Sequence, residues 1–484
     1  MLVVKLNEMQ FEYDIHSLVK AFYPGVEVKV LEKNTEKQSE EGMPEFEIQF
    51  QNTSISFYIT EDGIQKQKKT MVLHKPDSRP DVKNDLKQLI YESLSEYLQK
   101  VLPWGTLTGI RPTKIPMTLM EEGKSDEEIM AYMQKTYRIS EEKGRLSMEI
   151  AGRERKILSQ IHYRDGYSLY LGIPFCPTTC LYCSFTSYPI CAWKDKVGEY
   201  LTALEKEMAA TAELMSGKVL DTVYIGGGTP TTLSAEELDR LLNSLKNFFD
   251  FSTVQEFTVE AGRADSITIE KLQVLFKYGV SRISVNPQTM NEETLKLIGR
   301  QATAEQTKEA FLLARNVGFK NINMDIILGL PGETEEDVAH TIAEIEKLKP
   351  DSLTVHSLAI KRASRLSQWI VENGITTLNN TDETMEIAAS GARSMDMVPY
   401  YLYRQKNMSG NFENVGYATK GNFGIYNILI MEEVQTIVAL GAGSITKRVF
   451  SDGRIERCDN VKDVGLYIER IEEMIERKRV LLQE

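Results

Sequence analysis

The sequence predicts an α/β fold: parallel strands with crossover helices, preceded by an α+β module and followed by a mixed α/β region. Three observations predict it. From about residue 165 to 360, six short apolar runs alternate with amphipathic stretches, the pattern of strand–helix–strand units. Before them lie short alternating segments and a long apolar stripe at helical spacing. After them come a helix candidate, a tyrosine-rich run and a Gly-rich loop. At roughly 150 residues per domain, the 484 residues divide as 1–160, 161–360 and 361–484.

In the first module, FEIQF (46–50) and SISFYI (54–59) alternate as half-buried strands do. Leu86, Leu89, Ile90, Leu94, Tyr97, Leu98 and Val101 then form one helical stripe, which Pro103 is expected to end. The stretch WGTLTGIRPTKIP reads as a loop, and two or three helices follow to about 160. No chemistry motif stands in this module. Arg111 and Lys114 fit solvated or capping roles better than a pocket.

The six runs are SLYLGI (168–173), TVYIGG (222–227), EFTVEA (256–261), VSRISV (280–285), INMDIIL (322–328) and SLTVHSL (352–358). Each reads as a near-continuous apolar strand covered on both faces. Between them lie helix candidates such as the one bearing Leu201, Leu204, Met208 and Met215. A doubly wound sheet and a partial barrel both accommodate the pattern, and both put functional loops at the carboxyl ends of strands. The last region holds a helix near 381–396, PYYLYRQ (399–405), LGAGS (440–444) and a charged amphipathic helix over 463–484.

Composition narrows the function. Apolar residues make up 42% and charged residues 26%, so a folded core is expected. Acidic residues number 70 against 57 basic, a formal charge of −13. That balance argues against a nucleic-acid partner, which needs a basic surface. The amino terminus carries no secretory pattern and no run reaches the ~20 apolar residues of a membrane span. A cytoplasmic protein without a membrane span is expected. Five cysteines are too few for a disulfide framework.

Four of those cysteines lie between 176 and 191. IPFCPTTCLYCSF places Cys176, Cys180 and Cys183 as C-x3-C-x2-C directly after a strand. Three thiolates on one loop can converge on a soft metal centre, and Pro174 and Pro177 stiffen the loop. Structural zinc would want four closed ligands, usually as two pairs, and no second pair exists. A four-cysteine cluster would recruit Cys191. Plain reduced core cysteines are a further alternative. The reading these residues favour is a 4Fe–4S cluster on three thiolates, with one iron open to an external ligand.

C-x3-C-x2-C with Tyr182 before the last cysteine resembles the radical S-adenosylmethionine superfamily. YLGIPFCPTTCLYCSF is similar to the oxygen-independent coproporphyrinogen III oxidase family, and the module with WGTLTGIRPTKI resembles its HemZ-type subgroup. The resemblance is specific over about 165–360 and weaker outside. It implies a partial (β/α)6 barrel, with a 4Fe–4S cluster and S-adenosylmethionine as cofactors. The open iron would chelate the cofactor's amino and carboxylate groups.

The resemblance also organises the other strand ends. YIGGGTP (224–230) alone is a tight turn or a close backbone approach with N–H groups facing a ligand. The family segment there contacts the methionine amino group, which implies Gly227, Gly228 and Thr229. Glu260, ending the third run, is either salt-bridged to a neighbour such as Arg263 or a cofactor contact. Gln288 offers an amide, Arg300 a guanidinium suited to a carboxylate, and Asp325 an acceptor for a ribose hydroxyl. Tyr170, six before Cys176, matches a family tyrosine, and Tyr182 completes the implied cofactor set.

The implied chemistry is reductive cleavage of S-adenosylmethionine to methionine and a 5′-deoxyadenosyl radical. Hydrogen abstraction from a propionate of coproporphyrinogen III would follow, with loss of carbon dioxide to leave a vinyl group, twice. The cofactor performs the hard step and the protein binds and orients, so no catalytic side chain is assigned. An electron donor such as flavodoxin or ferredoxin is implied, together with a tetrapyrrole substrate. Lys361, Arg362, Arg365, Arg404 and Lys406 are candidates for its carboxylates, or ordinary surface charge. Two alternatives stand beside this one. A haem-binding or haem-delivery protein on the same scaffold would lack the sister group's His-Asn motif, since only Asn427 matches, although His356 or a cysteine could bind haem. A radical enzyme with another substrate is the second. Phe185 stands where the best-known oxidase group has a further cysteine, and in this it resembles the haem-chaperone branch. Cys191 and Cys458 are read as structural thiols.

Overall fold

The computed structural model describes residues 1–109, 111–162, 164–361, 364–374, 378–404 and 412–483. They form two compact units: Met1–Gly152 with Tyr403–Glu413, and Arg153–Leu402 with Asn414–Glu484.

The first unit is built on five strands in the order Val28–Glu32, Leu2–Leu6, Glu45–Phe50, Ser54–Glu61, Ile64–Val72. Phe46, Ile48 and Phe50 alternate inward against Ile15, Leu18 and Phe22 of the helix Glu12–Phe22 and Leu86, Ile90 and Leu94 of the helix Arg79–Leu98. The period-2 signal identified two of these strands. Ile64–Val72 escaped because it is an edge strand, exposed along alternate positions and rich in lysine. The long helix stops earlier than Pro103 predicts. Gln99 turns left-handed at φ 50° and its N–H caps Ser95 O, so Val101 lies outside the helix, 72% exposed.

In the second unit the six expected strands are Gly166–Ile173, Val219–Gly227, Glu256–Gly262, Arg282–Val285, Ile322–Leu328 and Ser352–Ser357. Each pairs parallel with the next in chain order. Strands that add in one direction form a partial-barrel series, whereas a doubly wound sheet reverses at a switch point. The expected (β/α)6 order is therefore present, and the sheet does not close. Thr436–Leu440 adds parallel beside the first strand, Asn414–Ala418 antiparallel beside the sixth, and the whole reaches 11 strands.

The strands are not apolar on both faces as expected. They alternate. Leu169, Leu171, Val223, Ile225, Val259, Ile283, Val285, Met324, Leu353 and Val355 are buried on one face, where amphipathic crossover helices such as Ala235–Phe248 pack. The other face is polar. Thr222 bonds Ser168, Tyr224 bonds Glu260, Asn323 bonds Asp325, and Thr354 bonds Asn323. This inner face is the wall of the site.

The helix Val197–Leu214 buries Leu201, Leu204 and Met208 as its spacing predicts. The helix near 381–396 is observed as Asp382–Ser394, capped by Thr381. The tail is two helices rather than one, Val464–Glu469 and Ile471–Gln483. Its charges are not all solvated. Lys478 and Glu207 are both 0% exposed and paired at 2.5 Å. Glu207 also accepts from Tyr467, Asn460 and the N–H of Gly441 in the Gly-rich loop.

Candidate active site

The first strand runs out at Ile173, and Pro174 turns the chain into the cysteine loop. Neighbouring strand ends hold that loop. Thr178 Oγ1 donates to Gly299 O at 3.0 Å, and Leu181 N donates to Ile298 O at 2.9 Å. Arg263 Nη1 donates to Thr178 O at 3.1 Å, and Arg365 Nη2 to Thr179 O at 2.5 Å. Cys176 Sγ accepts from Thr229 Oγ1 at 3.6 Å, and Cys180 Sγ lies 3.9 Å from Arg263 Nη1. Burial pushes the Cys176 and Cys183 thiols up, so in the bare protein they hold their protons, and metal charge is what stabilises thiolates. Cys191 is exposed on the short helix Ile190–Trp193, and Cys458 is half-buried on Ile455–Asp459.

The glycine loop packs directly on this segment. Gly228 N donates to Ile173 O and Thr229 N to Phe175 O, both at 2.7 Å, and Gly227 N–H donates to Glu260. The N–H groups expected to face a ligand are thus taken by protein, and Thr229 O accepts from Thr232 N and Oγ1. A Cβ on Gly228 would stand 2.5 Å from Phe175 O and 3.0 Å from Cys176 Sγ, so only glycine allows this approach.

Glu260 does not pair with Arg263. That guanidinium turns to Asp265 at 2.6 Å. Glu260 instead accepts from Tyr224 OH at 2.5 Å. Burial, with the Asp325 charge adding to it, pushes its carboxyl up to about 7 against the hydrogen bonds of Tyr224 and Gly227. Asp325 is buried too, which raises it, but hydrogen bonds from His356 and Asn323 and the His356 charge hold it below its ordinary value. His356 Nε2 stands 3.8 Å away. The structure brings Tyr170 to this group: its ring stacks on Tyr224 at 6.1 Å.

Gln288 adopts left-handed φ 67° just past the fourth strand, a conformation costly for a residue with a side chain. Its N–H and carbonyl stay in register with Asp325 O and Ile327 N at 2.9 Å. Its Oε1 is buried with no partner, as are Ser284 Oγ, Asn286 Oδ1 and Arg300 Nε. Arg300 spends its other nitrogens on Asn286 O at 2.5 Å and Tyr182 OH at 3.3 Å. Tyr182 packs against Leu295, Ile298, Leu330 and Leu366, and burial pushes its phenol up.

These observations test the fit of an iron–sulfur cluster with a polar organic ligand. Among the described residues no three His, Cys, Asp or Glu side chains could hold one metal ion, as a zinc site requires. Three soft donors on a braced loop suit a cluster, in which each thiolate takes its own iron. Orphaned buried oxygens of Ser284, Asn286 and Gln288 ask for donor groups on a ligand, and Arg300 Nε for an acceptor. Both requirements are met here.

Of the basic candidates, Lys361 places its ammonium 5.5 Å from the Phe185 ring centroid, and Arg365 is engaged by Thr179 O. Arg404 donates to Leu107 O at 2.5 Å within the first unit. Arg362 and Lys406 lie outside the described residues. Sequence reasoning missed Tyr224, Tyr426, Arg263, His356, Ser284 and Asn286 as parts of this wall. Part of the signal was present: Tyr224, Ser284 and His356 stand at alternating positions of their runs, whereas Arg263, Asn286 and Tyr426 lie outside the six runs.

Residues 170–345 match the radical SAM superfamily. The chain is 43% identical over 408 residues to the oxygen-independent coproporphyrinogen-III oxidase-like protein HemZ of Bacillus subtilis, covering 83% of this chain and 81% of that one. It is 39% identical over 195 residues to the heme chaperone HemW of Bacillus subtilis, covering 40% of this chain and 51% of the relative. With the oxygen-independent coproporphyrinogen III oxidase of Escherichia coli it shares 34% over 192 residues, covering 40% and 42%. The solved coproporphyrinogen III oxidase HemN from Escherichia coli, a radical SAM enzyme, has the same fold: TM-score 0.51, 22% identity, 66% of this chain and 72% of that one. The chain therefore belongs to the radical SAM superfamily and, within it, to the coproporphyrinogen-III-oxidase-like family that includes HemZ. The cofactors of that superfamily are a 4Fe–4S cluster and S-adenosylmethionine, as the cysteine motif implied. Among the described residues no helix is long and apolar enough to cross a membrane.

Proposed function

We propose that this protein is an enzyme that converts propionate side chains of coproporphyrinogen III to vinyl groups without oxygen, in porphyrin biosynthesis. The observation that carries the reading is the convergence of the three-cysteine loop, the Gly227–Thr229 turn and the polar inner face at the carboxyl ends of one parallel strand series. Relatives with coproporphyrinogen oxidase names support the substrate.

Cys176, Cys180 and Cys183 would hold the cluster, with S-adenosylmethionine bound beside it. When bound, the pair supplies reductive C–S cleavage and a hydrogen-abstracting radical. The chain's own residues do the rest. The Gly227–Thr229 turn contacts the amino group. Thr229 and Arg263 brace Cys176 and Cys180. Tyr182 anchors the loop through Arg300. Glu260, Gln288 and Asp325 take donor groups of the nucleoside, and Tyr170 flanks them. An electron donor such as flavodoxin or ferredoxin supplies the electron.

The test is anaerobic reconstitution with iron and sulfide, reduction by dithionite, and addition of S-adenosylmethionine with and without coproporphyrinogen III, beside Cys180→Ala. Substrate-stimulated 5′-deoxyadenosine with a vinyl porphyrinogen product is expected, and none from the variant. Cleavage without porphyrin change would keep a radical enzyme and discard this substrate. A second reading, haem binding and delivery, is favoured by Phe185 after the third cysteine and by the heme chaperone names among relatives. Stoichiometric haem uptake with no cofactor cleavage would select it.

A further inference from the structure

Tyr224 belongs to the inner wall, and no role has been assigned to it. Its hydroxyl donates to Glu260 Oε1 at 2.5 Å. Its ring belongs to a cluster of three near-parallel rings: it stacks on Tyr170 at 6.1 Å and 15° and on Tyr426 at 4.4 Å and 22°, and those two stand 6.3 Å from each other. Tyr426 opens the helix Ile425–Glu432, whose first two N–H groups are taken by the Glu256 carboxylate at 2.5 and 3.3 Å. The phenol therefore cannot swing away without breaking these ring contacts. A second observation points the same way. A Cβ on Gly226 would stand 2.9 Å from Tyr224 Cε1 and 3.0 Å from Glu260 Cδ, so the bond forms over a residue that has to be glycine.

The groups facing Glu260 come from every neighbouring element. They are Tyr170 on the first strand, Tyr224 on the second, uncharged Ser284 opposite it on the fourth, and Asp325 on the fifth with His356 of the sixth behind. Tyr426 faces it from the helix. Arg263 is turned away to Asp265. The stabilisation of a carboxylate here thus comes from hydrogen-bond donors.

We propose that Tyr224 is a positioning residue that acts through Glu260: from its stacked ring it keeps the carboxylate ionised and oriented, so that binding of S-adenosylmethionine is linked to loss of a proton from Glu260. This rests on the reading of Glu260 as a cofactor contact. The cofactor brings a sulfonium and several donor hydrogens, which an ionised acceptor binds better than a neutral one. Burial and Asp325 place the Glu260 equilibrium near neutrality, and the Tyr224 and Gly227 bonds oppose them.

Affinity for the cofactor should therefore rise with pH through about 7 and then level. Tyr224→Phe keeps the ring and removes one donor to a charged group, which moves the midpoint up by about one pH unit. Binding then weakens about fivefold at pH 7 and matches wild type near pH 9. Glu260→Gln should flatten the profile. Gly226→Ala, which must displace the Tyr224 ring or the carboxylate, should move the midpoint in the same direction as Tyr224→Phe.

The experiment titrates S-adenosylmethionine into reconstituted holoenzyme from about pH 6 to 9, reading the cluster's paramagnetic signal in the reduced state. Iron content and a thermal melt accompany each variant. A raised midpoint in Tyr224→Phe and a flat profile in Glu260→Gln support the proposal. A profile in Tyr224→Phe that overlays wild type overturns it, even where both bind. Failure of the wild-type holoenzyme to bind the cofactor at any pH overturns it too, but by removing the cofactor-contact reading beneath it.

Discussion

A methyl group placed on Gly228 has nowhere to go. Its Cβ would stand 2.5 Å from Phe175 O, with Ile173 O and Cys176 Sγ at 3.0 Å. Two of those three atoms are backbone, so no side chain can rotate away. The glycine loop and the cysteine strand must part by roughly half an ångström or more. Across the same junction run Gly228 N to Ile173 O and Thr229 N to Phe175 O, both 2.7 Å. Losing two such bonds costs about 2 kcal/mol, and overpacking adds about 1–3 kcal/mol. If that strain falls on the geometry that holds metal, Gly228→Ala weakens cluster retention by about a hundredfold or more. The assay is iron and sulfide per chain after anaerobic reconstitution, with the visible absorbance of the cluster. Gly198→Ala is the control, because nothing lies within 4 Å of its Cβ. Wild-type iron content and an unchanged thermal melt for Gly228→Ala would refute the claim that this junction sets the cysteine geometry.

Two further outcomes follow from buried charges. Lys478→Met strips the cation from Glu207 in a pair with no exposure on either side, leaving Tyr467, Asn460 and Gly441 as neutral donors. A loss of about 3 kcal/mol is expected in urea denaturation, and a loss below about 1 kcal/mol would mean those donors alone suffice. Glu333 accepts from Thr289 at 2.5 Å, and burial, with Asp337 adding, pushes its carboxyl up from 4.5 to about 7. The folded state then keeps a proton that the unfolded chain has released. Its contribution falls as pH rises between those values, by about 3 kcal/mol in all. Glu333→Gln should gain stability over wild type from about pH 5 to pH 8, measured by urea melts, and a constant difference would count against the shift.

Much of this site was legible before any coordinates. The C-x3-C-x2-C spacing, the position of each motif at the end of an apolar run, and the strand–helix alternation are local properties of the chain. They singled out Cys176, Cys180 and Cys183, while the family resemblance was what implied the Gly227–Thr229 turn, Glu260, Gln288 and Asp325 as cofactor contacts at or just past successive strands. The polar inner face was readable in principle. Leu169, Leu171, Val223 and Ile225 dominate their runs, and the intervening Ser168, Tyr170, Thr222 and Tyr224 were read as part of one apolar stretch. A period of 2 was the missed signal.

What the sequence by itself determined is what short-range chemistry determines: which residue types sit at which strand end, and hence a metal-binding loop, a glycine turn and an α/β scaffold. What only the tertiary structure decided is which groups share a partner. Arg263, three residues from Glu260, turns instead to Asp265 and Cys180. Tyr426, far along the chain, stacks on Tyr224, and Glu256 accepts from the first two N–H groups of its helix. Lys478, in the charged amphipathic tail, is sealed against Glu207. A strand's alternation says which face a side chain takes. The hydrogen bonds and charges it finds there depend on elements that folding brings together from elsewhere in the chain.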